Sequence, residues 1–313
     1  MTENALHRAV LASDAEALAV ALAAADSRAG LEARDAAGWT PLMRAVAGGG
    51  RTLALTRALL EAGADAEAHA ETQFVGRLSV LRLALQAGEV AAVASVLDAG
   101  AELHYDVEGY DALLDAVHGR DLRRDPELLG LLQLLVARGV RLDRVTRDGE
   151  SGLRTLSYVG RFDAVVLLLQ AGAPETQLGW TPLIAAVAHG DRAALARRLQ
   201  ADAATLRAGL EQRDVWQRTA WHVALLAGRP DLAEMLRQAG TDVQARGRGG
   251  RTSLSYAVHS HDPSTLRYLL ASGAALEDRD DVGRTALMEA TDLDDVAMVE
   301  LLREAGARDM ERT

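Results

Sequence analysis

Histidines and carboxylates cluster at two places in the chain, and these residue types could support metal or acid–base chemistry. Residues 259–262 read His-Ser-His-Asp, and residues 104–106 read His-Tyr-Asp. A metal site needs ligands that converge on one point and further residues that orient them. Both clusters fall in a helix–helix loop or a connecting segment, so the sequence favours ordinary loop residues over metal ligands.

Two short motifs resemble parts of nucleotide-binding or catalytic loops. Residues 247–250 read Gly-Arg-Gly-Gly, but neither a preceding buried strand nor a following Lys-Ser or Lys-Thr completes a phosphate-binding loop. Ser151 lies between Gly149 and Gly152 without the Gly-x-Ser-x-Gly spacing of a nucleophile elbow. No triad spacing emerges either, so we predict a protein that is not an enzyme, with no catalytic, metal or cofactor-binding residue.

The net charge of the chain limits the classes of partner that it is expected to bind. The 34 basic residues of this 313-residue chain are all Arg, and 45 acidic residues leave a net charge of −11. An acidic chain repels phosphate backbones and anionic lipids, so general nucleic-acid or membrane binding is not expected. The exclusive use of Arg is typical of a GC-rich genome and indicates a bacterial source.

Cysteine is absent, which excludes disulfides and thiolate chemistry. The first ten residues lack the basic and apolar regions of a signal peptide, and no apolar run reaches about 18 residues. We therefore expect a soluble cytoplasmic protein.

The hydrophobic segments belong to a repeat. Gly-Trp-Thr-Pro-Leu at residues 38–42 returns at residues 179–183, and related blocks follow at residues 218–224, 250–257 and 283–290. A second block, with a Leu-Leu start and a Gly-Ala end, recurs about fifteen to twenty residues after such starts. Its copies lie at residues 59–64, 168–173, 269–274 and 301–307.

Together the two blocks resemble the ankyrin repeat, with its Thr-Pro-Leu-His-x-Ala start and Leu-Leu-x-x-Gly-Ala end, over nearly the whole chain. The resemblance implies an all-α solenoid of stacked helix-turn-helix units joined by finger loops. We expect one domain over residues 1–313, with capping repeats at about 1–34 and 281–313. We take the Leu of the Thr-Pro-Leu block, or the residue equivalent to it, as the marker of a repeat. Nine such markers indicate nine units: Leu6, Leu42, Leu81, Leu113, Leu153, Leu183, Trp221, Leu254 and Leu287.

Local chemistry explains why each block folds as a helix. Thr at the N-cap accepts from free amides of the first turn, while Pro at the next position lacks a donor that would be unpaired anyway. The Gly of the second block suits a left-handed C-cap. Marker spacings of 30 to 40 residues place insertions in loops at residues 70–74, 119–126 and 201–210.

One segment occurs twice outside this pattern. Residues 28–35 nearly repeat as residues 207–214, with seven of eight positions identical. Two interpretations remain open: a variant finger with an extra turn, and duplication of a block of several repeats.

The resemblance also implies where a partner binds, because ankyrin-like arrays use finger tips and the exposed face of the inner helices. Counting from the markers places five of the eleven aromatic residues, several arginines and two histidines on this concave face. The predicted partner-binding residues are Trp39, Tyr110, Tyr158, Trp180, Trp216, Arg218, Arg251, Arg284, His118 and His189. Trp, Tyr and Arg are the types enriched at interface hot spots, whereas Trp221 takes a marker position and is expected in the core.

The residue types at the predicted finger tips change from aromatic to basic along the chain. Early fingers present Trp39, Tyr110 and Trp180, and later ones present arginines at 218, 248, 251 and 284. A partner with an acidic segment next to an apolar one would fit. The alternative is that the arginines pair with Asp214, Asp280 and Asp281 on neighbouring fingers.

These observations predict a non-catalytic, monomeric protein-binding module that acts as inhibitor, adaptor or regulator of a protein partner of unknown identity. The alternatives are a scaffold that organises several partners and an immunity protein against a cognate toxin.

Overall fold

The computed structural model describes residues 3–24, 28–72, 76–118 and 121–308. Parts of the predicted caps and of two predicted insertions, residues 1–2, 25–27, 73–74, 119–120 and 309–313, lie outside these ranges. The chain forms two compact units, residues 1–155 with 170–173 and residues 156–169 with 174–313. A single domain over residues 1–313 therefore stays a prediction, and the units are described one at a time.

The first unit consists of helices and one hairpin. Its elements are α1 (Ala5–Leu11), α2 (Ala15–Ala24), α3 (Arg28–Leu31), α4 (Pro41–Ala47), α5 (Leu53–Glu61), β1 (His69–Thr72), β2 (Gly76–Ser79), α6 (Val80–Ala87), α7 (Val90–Asp98), α8 (Ala112–Ala116) and α9 (Leu128–Ala137). Helix α10 (Gly152–Val159) contains residues of both units, and the next helix, which lies mainly in the second unit, ends at Gln170 of the first.

The second unit continues the helical pattern. Its elements are α11 (Phe162–Gln170), α12 (Pro182–Ala188), α13 (Arg192–Arg198), α14 (Ala203–Glu211), α15 (Ala220–Leu226), α16 (Pro230–Gln238), α17 (Ser253–His259), α18 (Pro263–Ala271), α19 (Ala286–Asp292) and α20 (Val296–Glu304). The all-α fold class is thus confirmed. Within the described ranges, no helix is both long and apolar enough to cross a bilayer.

Helices stack in two rows within each unit. In the first unit α1, α4, α6 and α8 contact in succession, and α2, α5, α7 and α9 form a second row. In the second unit α12, α15, α17 and α19 form the first-helix row, and α13, α16, α18 and α20 form the second-helix row. The extended segment that leads into each first helix is called a finger below.

The predicted helix starts are confirmed. Thr40 and Thr181 accept hydrogen bonds from the amides three residues later, and each precedes a proline at the first helical position. Thr252 and Thr285 cap α17 and α19 in the same way. Each cap satisfies an amide that the helix itself leaves unpaired.

Helix ends and markers also match the sequence pattern. Gly63 and Gly273 follow second helices with φ of 89° and 78°, the left-handed conformation of a glycine C-cap. All nine marker residues lie buried in the first helices of nine pairs within the described residues. Trp221 is 1% exposed, as predicted, and its Nε1 donates to Ser253 Oγ at 2.9 Å.

The insertions differ in structure. Residues 70–72 belong to β1, which pairs antiparallel with β2 in the register Ala70↔Leu78, so this insertion extends a finger into a hairpin. The predicted loop at 201–210 is wrong, because most of it folds as α14. Asp202 accepts from the amides of Ala204 and Thr205, and the Ala- and Leu-rich sequence that follows favours a helix.

The two similar segments, residues 28–35 and 207–214, both form a helix before a finger. Residues 28–31 are α3, and residues 207–211 end α14. Asp35 and Asp214 then start equivalent finger turns, in which the carboxylate accepts from amides two and four residues later. This agrees with a variant finger with additional helix, and it leaves duplication open.

His222 is a fully buried histidine of the second unit. Its Nδ1 accepts from the Thr219 amide at 3.0 Å, and its Nε2–H donates to Ala245 O at 2.9 Å. Burial lowers the pKa of His222 from 6.5 to about 4. The folded protein therefore holds a neutral imidazole across mildly acidic pH.

We predict that His222 makes folding sensitive to acid. Below about pH 6.5 His222 is protonated in the unfolded chain, whereas in the folded chain it stays neutral down to about pH 4. The free energy of unfolding therefore decreases as the pH falls from 6.5 to about 4. Between about pH 7.5 and about pH 5 the loss from this group is about 2 kcal/mol. Urea unfolding of His222→Gln should show a lower stability at about pH 7.5 and a flatter pH dependence.

The matched control is His104→Gln, because His104 is exposed. This variant should keep the pH dependence of the unsubstituted protein. An undiminished pH dependence in His222→Gln would contradict the assignment.

Candidate functional site

Several fingers are held by an acidic side chain at the base. Asp214 Oδ1 accepts from the amides of Trp216 and Arg218, both at 2.9 Å. Asp280 does the same for its finger, with 2.8 Å to the Arg284 amide. Because the turn is closed by these bonds, the residue four positions after the aspartate has a defined place and direction.

Arginines join neighbouring fingers. Arg213 Nη1 donates to Gln217 O of its own finger at 2.7 Å and to Arg246 O of the next finger at 2.8 Å. Arg246 repeats this arrangement with Gly250 O at 3.0 Å and Arg279 O at 2.5 Å. Sequence reasoning missed this ladder, although the signal was present as an Arg that recurs every 33 residues before the finger turn.

The predicted residues of the first unit form two contacts. Trp39 is half-buried, and the guanidinium carbon of Arg44 lies 4.4 Å from its ring centroid. Tyr110 is half-buried and meets the exposed His118 edge to face, with centroids 5.2 Å apart. Burial, together with the nearby Glu150 carboxylate, raises the pKa of Tyr110, so its hydroxyl stays protonated.

A buried polar network lies near Tyr110 and was not predicted. Asp115 is 1% exposed and accepts from Arg82 Nε at 2.8 Å, Tyr105 Oη at 2.7 Å and Gln86 Nε2 at 3.3 Å. Burial, reinforced by the Asp115 carboxylate, raises the pKa of Tyr105 well above its usual value. Tyr105 therefore belongs to internal structure, and its neighbour in sequence His104 is exposed.

In the second unit, Trp180 of one finger lies between two rings. Its centroid is 6.0 Å from that of His189, at the end of α12, and 6.1 Å from that of Phe162. His189 is exposed and Trp180 is half-buried. Among the described residues, none accepts a hydrogen bond from Trp180 Nε1, which leaves an indole donor beside an accessible imidazole.

Tyr158 and Trp216 form a second aromatic pair in this unit. Their centroids are 4.8 Å apart with the rings tilted by 52°. Arg251 lies 5.8 Å from the Tyr158 centroid, and Arg248 lies 5.9 Å from that of Trp216, within cation–π range. These side chains line a pocket of about 350 Å³. The complete lining is Tyr158, Trp216, Arg218, Arg248, Arg251 and Tyr256.

A contact across the sequence brings Tyr158 to this pocket. Arg218 Nη1 donates to Ser157 O at 2.7 Å, and its Nη2 donates to Ser157 Oγ at 2.8 Å. The two residues are 61 positions apart, almost twice the repeat length. The marker count placed Tyr158 and Trp216 separately and had no signal that they meet.

The prediction that Arg218 is exposed at a finger is wrong. Its side chain is 2% exposed and bonds Asp214 Oδ2 through Nη2 at 2.6 Å. The alternative of pairing with aspartates is confirmed for Arg218 and for Arg284, whose Nη2 lies 3.0 Å from Asp280 Oδ2, but each aspartate belongs to the arginine's own finger and not to a neighbouring one. Of the late-finger arginines, Arg248 and Arg251 lie beside aromatic rings instead, so basic and aromatic groups share one pocket.

The histidine cluster at residues 259–262 divides between different partners. His259 Nδ1 lies 2.9 Å from Ser255 O, whereas His261 Nδ1 lies 2.5 Å from Asp295 Oδ2. Asp262 caps α18 by accepting from the amides at 264 and 265. Across the described ranges no three His, Asp or Glu side chains group as metal ligands.

Arg218 and Arg251 occupy the same position in successive fingers and provide a stability test. Replacing Arg218 with Gln leaves the buried Asp214 carboxylate without its counter-charge, which should cost about 3–5 kcal/mol. Arg251→Gln removes no ion pair recorded for the described residues, so we expect about 0.5 kcal/mol or less. Urea unfolding of the two variants measures both values, and similar losses would contradict the assigned roles.

Comparison with known proteins agrees with the repeat pattern. A family model described as ankyrin repeats (3 copies) matches residues 153–247 and 221–313. No curated protein matches the chain. The match spans residues 153–313, which is more than half of the sequence, and its helix pairs carry the capped starts and glycine ends described above. The chain therefore belongs to the ankyrin-repeat family.

Proposed function

We propose that this protein is a non-catalytic binding module that acts as an inhibitor, adaptor or regulator of a protein partner. Ankyrin repeats are generally protein–protein interaction modules. The proposal extends the array to about nine repeats over the whole chain, supported by nine helix pairs with buried markers among the described residues. We further propose a cytoplasmic bacterial protein that works as a monomer.

The observation that carries the proposal is the pairing of accessible aromatic and imidazole groups on fingers and first-helix ends. Tyr110 with His118 provides one such pair, and Trp180 with His189 provides another. The chain has only four Trp, five Tyr and two Phe, so their concentration there supports an interface role. Aromatic side chains offer large contact areas at low conformational cost, which suits a protein interface.

A scaffold that holds several partners is the second candidate. It is favoured by one observation, namely that both compact units carry such a pair. A single stoichiometric complex would support the regulator, and simultaneous binding of two different ligands would support the scaffold.

We expect that replacing Trp39, Tyr110 and Trp180 together by Ala weakens binding by more than about tenfold, because the anchoring rings are lost. Binders are first selected from displayed peptides and small folded domains against the full chain. Their dissociation constants are then measured for the triple variant by biolayer interferometry. Circular dichroism melting checks that the variant remains folded.

The control replaces two exposed valines on second helices, Val20 and Val296, by Ala, and should bind as the unsubstituted protein does. Failure to select any binder would contradict the proposed function. Binding that survives the triple substitution would move the interface away from the fingers.

A further inference from the structure

Three fingers of the second unit carry an arginine at the same position, three residues before the marker, but only two of these arginines have a carboxylate partner. Arg218 and Arg284 each bond an aspartate four residues earlier, Asp214 and Asp280. At the equivalent position before Arg251 the chain has Gly247. The finger of Arg251 therefore lacks the aspartate that its neighbours have. The buried Glu289 carboxylate lies near enough to interact electrostatically with Arg251 but forms no ion pair with it among the described residues.

Tyr256 explains why no aspartate stands at this position. A Cβ atom added to Gly247 would lie 1.9 Å from the Tyr256 hydroxyl oxygen, so any side chain there would collide with the ring. Tyr256 itself is 3% exposed, and its ring centroid lies 4.7 Å from that of His222. This packing holds the Tyr256 ring in place. The glycine and the tyrosine together keep a carboxylate out of this finger.

Arg251 and Arg248 consequently present unpaired guanidinium groups. Among the described residues, neither guanidinium has a hydrogen bond or ion pair, and their recorded side-chain contacts are with the rings of Tyr158 and Trp216. Arg248 is exposed and Arg251 is half-buried. A guanidinium next to an aromatic ring keeps its five N–H donors, which match a carboxylate in a forked geometry.

We propose that this pocket binds an acidic segment of a protein partner, with one carboxylate side chain between Arg248 and Arg251. A neighbouring apolar side chain of the same segment packs on Tyr158 and Trp216. The inference rests on the proposed protein-binding function and adds the chemistry of the partner. A volume of about 350 Å³ is near the lower limit of ligand pockets, which suits one or two side chains.

Local charge selects a carboxylate in spite of the overall charge. The chain carries −11 overall, but surface charges beyond about 8 Å are largely screened at physiological salt. Of the nearby carboxylates, Asp214 is paired with Arg218, and the buried Glu289 accepts a hydrogen bond from Ser255, so neither forms an ion pair with Arg248 or Arg251. A nucleic acid would need several cations along its phosphate backbone. Two guanidiniums in an otherwise acidic chain fit a short acidic segment better.

The test is a selection of displayed random peptides against three forms of the full chain: unsubstituted, Arg248→Gln/Arg251→Gln, and the control Arg267→Gln. Arg267 is exposed on the second helix α18, so the control removes a charge outside the pocket. We expect peptides enriched in Asp and Glu beside apolar residues for the unsubstituted and control forms. The double variant should lose this enrichment.

The best acidic peptide, fluorescein-labelled, is then titrated by anisotropy. Loss of both forked contacts should weaken its dissociation constant by more than about tenfold, whereas Arg267→Gln should change it by less than about twofold. Replacing the acidic residues of the peptide by Gln and Asn should weaken binding to the unsubstituted chain equally. A labelled single-stranded oligothymidine measures nucleic-acid binding in the same assay.

A second variant keeps both arginines and changes only their pairing. Gly247→Asp combined with Tyr256→Val copies the finger of Arg218, in which Val223 stands at the position of Tyr256. The introduced carboxylate should pair with Arg251 and weaken the acidic peptide by more than about fivefold. The matched control, Gly247→Asn combined with Tyr256→Val, introduces a side chain of the same size without the negative charge, and it should bind the acidic peptide more than about fivefold more tightly than the Asp-containing variant.

The outcomes separate the two proposals. If no form of the chain selects a peptide, the proposed function and this inference fail together. Selection of peptides without acidic residues, equal acidic enrichment on the double variant, or tighter binding to oligothymidine overturns the inference. In the first two of these cases the protein-binding function stands.

Discussion

A pair of short helices has apolar side chains on the two sides that face along a stack, and only neighbouring pairs can keep them from water. The stacked helices have five to ten residues each, too short to persist alone in water. In the second unit the buried side chains from α12 to α20 form one contiguous core through the contacts between successive pairs. Every other feature of the unit depends on these shared interfaces, because they hold the helices whose ends carry the fingers.

Finger geometry follows from that stacking. Successive pairs are about 33 residues apart, so equivalent backbone groups lie side by side, and one arginine can reach a carbonyl of its own finger and one of the next. The aspartate at the base closes the turn and directs the residue four positions later. This position carries Trp39 in the first unit and an arginine in several later fingers, so a common scaffold presents different side chains.

Internal pairing decides which of these side chains remain available. Arg218 is taken into the structure, where Asp214 and Ser157 satisfy its guanidinium, because a buried charge without such partners would be strongly destabilising. Arg251 has the same position in the next finger, but the residue four positions earlier is Gly247, where Tyr256 leaves no room for an aspartate side chain. Arg251 is only half-buried, so solvent stabilises its charge without an ion pair, and a cationic group remains beside Tyr158.

The sequence by itself determined the local features: helix starts at Thr40 and Thr181, glycine ends such as Gly63, and the burial of Trp221. These depend on residues a few positions apart or on a repeat period that can be read along the chain. Only the tertiary structure decided that Arg218 is buried against Ser157 and that Tyr158 meets Trp216. The reason is physical: these contacts join residues from repeats that are not adjacent in sequence, and neither helical periodicity nor the 33-residue spacing encodes such a distance.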